Sequence, residues 1–321
     1  MSPLFGSKQV KPFIDPSRGD AEAAALRQAA ASGNWAAVDA ALQATPNGSR
    51  REFLVDAIAL DTSNLSWVDV WVKEQPSSAA ARLMWGACAV QYAWKVRTGA
   101  APQDVAPDKM AGFHDWLVNA DEQLQHAATM APEDGAPWIA LLWAGVGLEI
   151  PIESATERWE NVSRRNPATE LGAMAYLTHI GPRWNGRADL MWTFIQDLLS
   201  RETDGSPRWF MVPHGHFEQW VAERMHGGSA VHPSRYFEQS HVQRDIIDAY
   251  DKYLGSASKR PSELEPQFRE LFAASFYLMN ARDRLRRELE QIGPGIQNLP
   301  WGFLGSTMVA YQSAREAAGL R

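Results

Sequence analysis

The residues best suited to chemistry sit close together: 5 of the chain's 8 histidines fall between positions 214 and 241, at His214, His216, His226, His232 and His241. Imidazole is the commonest metal ligand and the side chain that titrates nearest neutrality. His214, His216 and Glu218 therefore form a candidate metal set. Their spacing works against a ready-made helical site. Residues i and i+2 point about 200° apart on a helix, whereas paired ligands need i, i+3 or i+4. Pro213 marks a helix start, which puts His214 and His216 in a first turn. On a purely structural reading, His216 packs against Trp220 one turn on, and the other histidines are polar loop residues.

His226-Gly227-Gly228-Ser229 has the look of an esterase oxyanion loop, but no G-x-S-x-G nucleophile elbow accompanies it. The glycine-rich run 293–305, GPGIQNLPWGFLG, contains neither phosphate-binding pattern and follows no strand. It reads as a turn that delivers Trp301 and Phe303 to a final helix. Glu149 and Glu153 flank Pro151 as helix-end charges, with Glu153 favoured at a helix N-terminus. These residues assign no catalytic role and no cofactor.

Those side chains must be positioned by helices. The spacing predicts helices over 50–58, 66–72, 78–96, 110–130, 137–148, 152–165, 169–179 and 188–201, then over 213–225, 240–253, 266–279, 281–292 and 306–318. Before them Asp20 reads as an N-cap, and Ser32-Gly33-Asn34 breaks an alanine-rich run into a helical hairpin. Residues 98–108, with Pro102 and Pro107, read as a loop. No strand-like alternation appears. The expected fold is all-α, built from stacked antiparallel helix pairs. An extended N-terminal arm covers 1–19 and a helical body covers 20–321, with a subdivision near 203–212.

The body contains a period. Ala120, Leu124, Ala127 and Pro132 are spaced 4, 3 and 5 apart, and Ala155, Trp159, Val162 and Pro167 repeat that spacing after 155 − 120 = 35 residues. A further step reaches Leu190 and Phe194, and the pattern decays at Asp197 and Glu202. Across residues 98–202 this resembles the second helix of a tetratricopeptide repeat, whose period is about 34. The small residue lets two helices approach, the large one fills the gap to the next pair, and the proline ends the helix. The family's first-helix signature, a small residue beside a leucine, is not met at Leu142-Trp143. Looser hairpins surround Gly33 and Asn280. GPRWNGRADLMWTF and LPWGFLGS also resemble stretches of bacterial helical-repeat proteins, a likeness that implies no activity. In such an array Trp159 and Leu124 are expected to be buried at equivalent junctions.

Small residues punctuate the apolar helices at Gly86, Gly145, Gly147 and Gly172, where each costs about 1 kcal/mol relative to Ala. Close helix packing is their simplest explanation. The 14 tryptophans read as plugs between helices.

Bulk properties narrow the function. A net charge of −7 argues against nucleic acid, and the arginines 282, 284, 286 and 287 are interleaved with acids as on a solvated helix face. The longest uncharged stretch, 135–148, falls short of the ~20 residues a membrane span needs. A single cysteine, Cys88, rules out an intrachain disulfide and fits a reducing cytoplasm. The resemblance implies a non-enzymatic scaffold for a protein or peptide partner. Two alternatives stand beside it: a metal-dependent enzyme using His214, His216 and Glu218, and a regulatory module that holds a small ligand in a tryptophan-lined pocket.

Overall fold

Prolines and glycines divide this chain into short amphipathic segments, and each segment becomes a helix. The computed structural model describes residues 11–60, 62, 64–97, 106–184, 186–226 and 232–320. Among them lie fifteen α-helices and two strands of two residues each, so the fold is all-α. Residues 227–229 of the histidine-glycine motif and residues 98–105 of the expected loop fall outside the described residues, as does the arm before residue 11; the loop expected over 98–108 ends sooner, because a helix already begins at Pro107.

The chain separates into two compact units. Residues 20–203 and 214–228 form the larger unit, and 1–19, 204–213 and 229–321 form the smaller. Phe13–Ile14 (β1) pairs in parallel with Gly295–Ile296 (β2), because the chain returns past residue 293 to offer it an edge.

The larger unit opens with Ala21–Ala31 (α1) and Trp35–Ala44 (α2), joined at Gly33, which has φ +79°. Asp20 caps α1 by accepting from the Ala23 amide. Ser49–Ala59 (α3), Ser66–Glu74 (α4), Ala79–Arg97 (α5) and Pro107–Met130 (α6) follow. Ala136–Leu148 (α7), Ile152–Arg165 (α8), Glu170–Ile180 (α9) and Ala188–Leu199 (α10) complete the series. The odd-numbered helices touch in sequence: α1 packs on α3, α3 on α5, α5 on α7 and α7 on α9. Direct contact also joins α1 to α2, α5 to α6, α7 to α8 and α9 to α10.

Sequence explains the layering. Helices α7 and α9 are apolar on nearly every side and are buried on nearly every side. Helix α8 alternates acids and arginines with one apolar stripe and buries only Ala155 and Val162 among its residues. Helix α3 is the exception to this logic. It carries Arg51 and Glu52 into the interior. Arg51 Nε bridges Asp134 at 2.7 Å, and Glu52 accepts from Asn166 Nδ2 at 3.0 Å and Thr169 Oγ1 at 2.8 Å. Buried charges of this kind persist only where their hydrogen bonds are completed.

The smaller unit holds the short 3₁₀ turns Pro207–Phe210 and Pro233–Glu238, then Ser240–Lys252, Glu265–Leu278, Arg282–Gln291 and Thr307–Ala317. These last four are α12 to α15; α11, Met211–His226, begins in this unit, and its residues from 214 belong to the larger one. Phe210 stacks on Phe268 with centroids 3.9 Å apart. Glu270 is buried in α13, where it accepts from the Gln297 amide and from Trp301 Nε1 at 2.7 Å. The glycine-rich run 293–305 is thus a turn that hangs Trp301 on the buried carboxyl group of Glu270. The basic stretch is a solvated face: Arg284 pairs with Asp251 and Arg286 with Glu290.

Candidate functional site

Helix α11 begins at Met211, so Pro213 is its third residue and not its first. His214 and His216 therefore sit on regular helix and face different ways. His216 turns toward α10, where its ring lies 4.7 Å from that of Trp192. Gly215 lets α11 approach α10 closely there: a methyl on it would meet Ile195 and the Trp192 ring. His232 and His241 are exposed, with His232 Nδ1 2.8 Å from Ser234 Oγ.

His214 and Glu218, one turn apart, do come together. His214 Nε2 lies 3.6 Å from Glu218 Oε1 and 3.5 Å from Thr178 Oγ1. The carboxylate is 1% exposed and is gripped by Arg183, whose Nε and Nη2 each donate at 2.7 Å. Burial alone would raise the Glu218 pKa; the Arg183 charge and the His214 hydrogen bond outweigh it and hold it at about 2. Glu218 is therefore a permanent anion whose oxygens are taken by a guanidinium fork. Of the three candidate ligands, His214 and Glu218 meet beside Arg183, which holds the carboxylate, and His216 faces Trp192 instead. Among the described residues no three His, Cys, Asp or Glu side chains are arranged to hold a metal ion.

A second candidate is a cleft between α3, α5 and α7. Glu52, Asp56, Gln91 and Trp143 supply its polar and aromatic edge, and Val55, Ala87 and Ile139 its floor. Its internal room is about 30 Å³, enough for a water or two and far below a small-molecule pocket. Trp143, Asp56 and Gln91 are half-buried there and reach solvent.

Trp159 also departs from expectation. Leu124 is fully buried, but Trp159 is only half-buried. It does join successive pairs, stacking on Tyr176 of α9 at 5.6 Å and meeting Phe194 of α10 edge-on at 5.3 Å. At the next step Met191, Ile195 and Leu199 carry the core of α10, the first two one residue past the 35-residue register and the third two past it.

Sequence reasoning missed Arg183 and its neighbour Trp184, although both lie within the GPRWNGR stretch it singled out. It also missed Arg97. No local pattern links these residues, since 86 positions separate Arg97 from Arg183 (183 − 97).

No protein-family model matches the chain, and no curated protein matches it in sequence. No described helix is long and apolar enough to cross a membrane.

Proposed function

We propose that the larger unit is a tetratricopeptide-like, non-enzymatic scaffold that holds a protein or peptide partner. The observation that carries this reading is the order of helix contacts: α1, α3, α5, α7 and α9 touch in series, and α2, α6, α8 and α10 pack on α1, α5, α7 and α9. Turn chemistry supports it. Helices α2, α4, α6 and α8 end at Ala44, Glu74, Met130 and Arg165, and a proline follows each by two residues, at Pro46, Pro76, Pro132 and Pro167. Small residues sit where pairs close, with Gly86 under Leu124 and Gly172 against Val162. Stacked pairs of this build present long surfaces to partners.

The face best suited to a partner is the edge of the α3–α5–α7 cleft. Trp143 offers a large amphipathic surface of the kind that dominates interface energetics. Asp56 and Gln91 beside it favour a partial positive charge or backbone amides on the partner. A reducing, cytoplasmic setting suits Cys88, whose thiol burial pushes up to about 12 and so keeps unreactive. The net charge of −7 weighs against nucleic acid.

The test is comparative capture from a native lysate by wild-type protein, Trp143→Ala and Asp56→Lys. A single identified partner, lost by both folded variants and re-bound by the wild type when purified, supports the reading. A partner held equally by all three removes the cleft edge as the binding face. Recovery of no specific partner alongside tight small-molecule binding removes the scaffold reading.

A further inference from the structure

Arg97 closes helix α5 with its guanidinium inside an aromatic basket. Its central carbon lies 5.5 Å from the Trp94 ring, 5.7 Å from Phe113 and 5.6 Å from Trp184. The rings brace one another edge to face, Trp94 on Phe113 at 5.0 Å and Trp94 on Trp184 at 5.3 Å. Arg97 is only 8% exposed. Yet among the described residues no carboxylate pairs with it and no acceptor takes its N–H groups. Its nitrogens are not sealed from solvent. Aromatic faces balance part of a cation's charge but accept few of its five N–H bonds.

A second observation points the same way. The indole nitrogens of Trp94 and Trp184 are buried and donate to no described acceptor. A buried donor without a partner costs about 1–3 kcal/mol. Two such donors therefore lie within one ring cluster around one uncompensated guanidinium.

The surrounding charge limits the ligand. Arg183 lies over Trp184 at 5.2 Å and repels Arg97 through space, while its own guanidinium is paired with Glu218. Glu149, exposed at the end of α7, acts on Arg97 through space without forming an ion pair. The basket thus has one positive charge to offer, walled by rings and faced by one distant acid. That suits a singly charged, planar oxyanion on an apolar body. A phosphate dianion would bring two charges to one cation.

We propose that Arg97, Trp94 and Trp184 form a binding site for a carboxylate group, carried by a free organic acid or by a peptide. The guanidinium fork takes the two oxygens, the indole N–H groups supply further donors, and the rings cover the carbon next to the carboxylate. The site is separate from the Trp143 cleft, so it stands or falls independently of the partner reading. The alternative is that Arg97 only complements the negative C-terminal ends of α5 and α7. That alternative involves no ligand.

Indole N–H resonances decide between them. In ¹⁵N-labelled full-length protein the two signals are assigned with Trp94→Phe and Trp184→Phe. The protein is then titrated at constant ionic strength with acetate, benzoate, benzamide and inorganic phosphate. A saturable downfield shift of one or both signals with benzoate, and none with benzamide, is the expected result. Arg97→Lys keeps the charge but loses the fork, and should bind about tenfold more weakly, the scale of one charge-assisted hydrogen bond. Glu149→Gln alters only the exposed acid, so it should bind more tightly with the fold intact. Peptides with free and amidated C-termini separate the two sources of the group: binding of the free terminus without binding of benzoate assigns the site to a peptide. No saturable shift with any carboxylate, an equal response to phosphate, or wild-type affinity in Arg97→Lys would each overturn the proposal.

Discussion

Leu124 of α6 lies so close over Gly86 of α5 that a methyl group on the glycine would collide with the leucine side chain. The α5–α6 pair is therefore set by a missing side chain. Alanine at 86 gains about 1 kcal/mol of helix propensity but incurs an overpacking cost of about 1–3 kcal/mol. Gly86→Ala should destabilise the fold by about 1 kcal/mol, and Gly86→Val by more. Combining Gly86→Ala with Leu124→Ala should recover part of the loss, which a double-mutant cycle in denaturant reads directly.

Leu124 and Trp159 occupy matching places in the 35-residue pattern but not matching environments. Leu124→Ala should cost about 3 kcal/mol, because it empties a sealed site. Trp159→Ala should cost less, about 2 kcal/mol, since its ring is already partly wet and Tyr176 and Phe194 can close on the gap. Melting temperatures of the two variants in one buffer give the comparison. A larger loss in Trp159→Ala would contradict the half-exposed placement.

The Arg183–Glu218 pair makes stability depend on acid. The folded pKa of about 2 lies below the ordinary 4.5, so the unfolded chain takes up protons first. The stabilisation is present above 4.5 and is lost as pH falls from there toward about 2. Glu218→Gln leaves a buried guanidinium without its anion and should cost about 3 kcal/mol at neutral pH. Urea midpoints should show this gap shrinking as pH drops. A constant gap would mean that the pair does not hold the carboxylate ionised.

Glu270 has the opposite sign. Burial, only partly offset by the Gln297 and Trp301 hydrogen bonds, raises its pKa to about 8 from 4.5. The folded state then binds the extra proton between those values. Stability from this group is complete below 4.5 and declines as pH rises to about 8. Glu270→Gln should flatten that decline, as measured by denaturation at a series of pH values. A wild-type chain that gains stability over the same interval, relative to Glu270→Gln, would count against it.

Much of this architecture is written locally. Helix ends are legible because Asp20 caps, Gly33 turns and the prolines at 132 and 167 stop helices by covalent geometry. Helix α8 announces its outward face through its charge pattern, and α7 its burial through its lack of charge. The burial of Arg51 and Glu52 has no such local mark, because their partners are residues 134, 166 and 169. Arg97 was equally silent, because the rings that enclose it come from three separate segments. The histidines drew attention by composition. Their placement depended on where α11 begins, and one proline misplaced that start by two residues.

The buried polar residues of α3 bear on how the chain reaches this state. A row of helix pairs held only by nearest neighbours can form from either end and fray one pair at a time. Here Glu52 finds its partners 114 and 117 residues later in the chain. Until residue 169 has been made, α3 has no complete set of hydrogen bonds and no reason to stay sheltered. The early pairs must wait for the late ones during synthesis, and so local order along the row gives way to one long-range closure. Folding of the larger unit should accordingly be slower than its helical content suggests, and more nearly all-or-none.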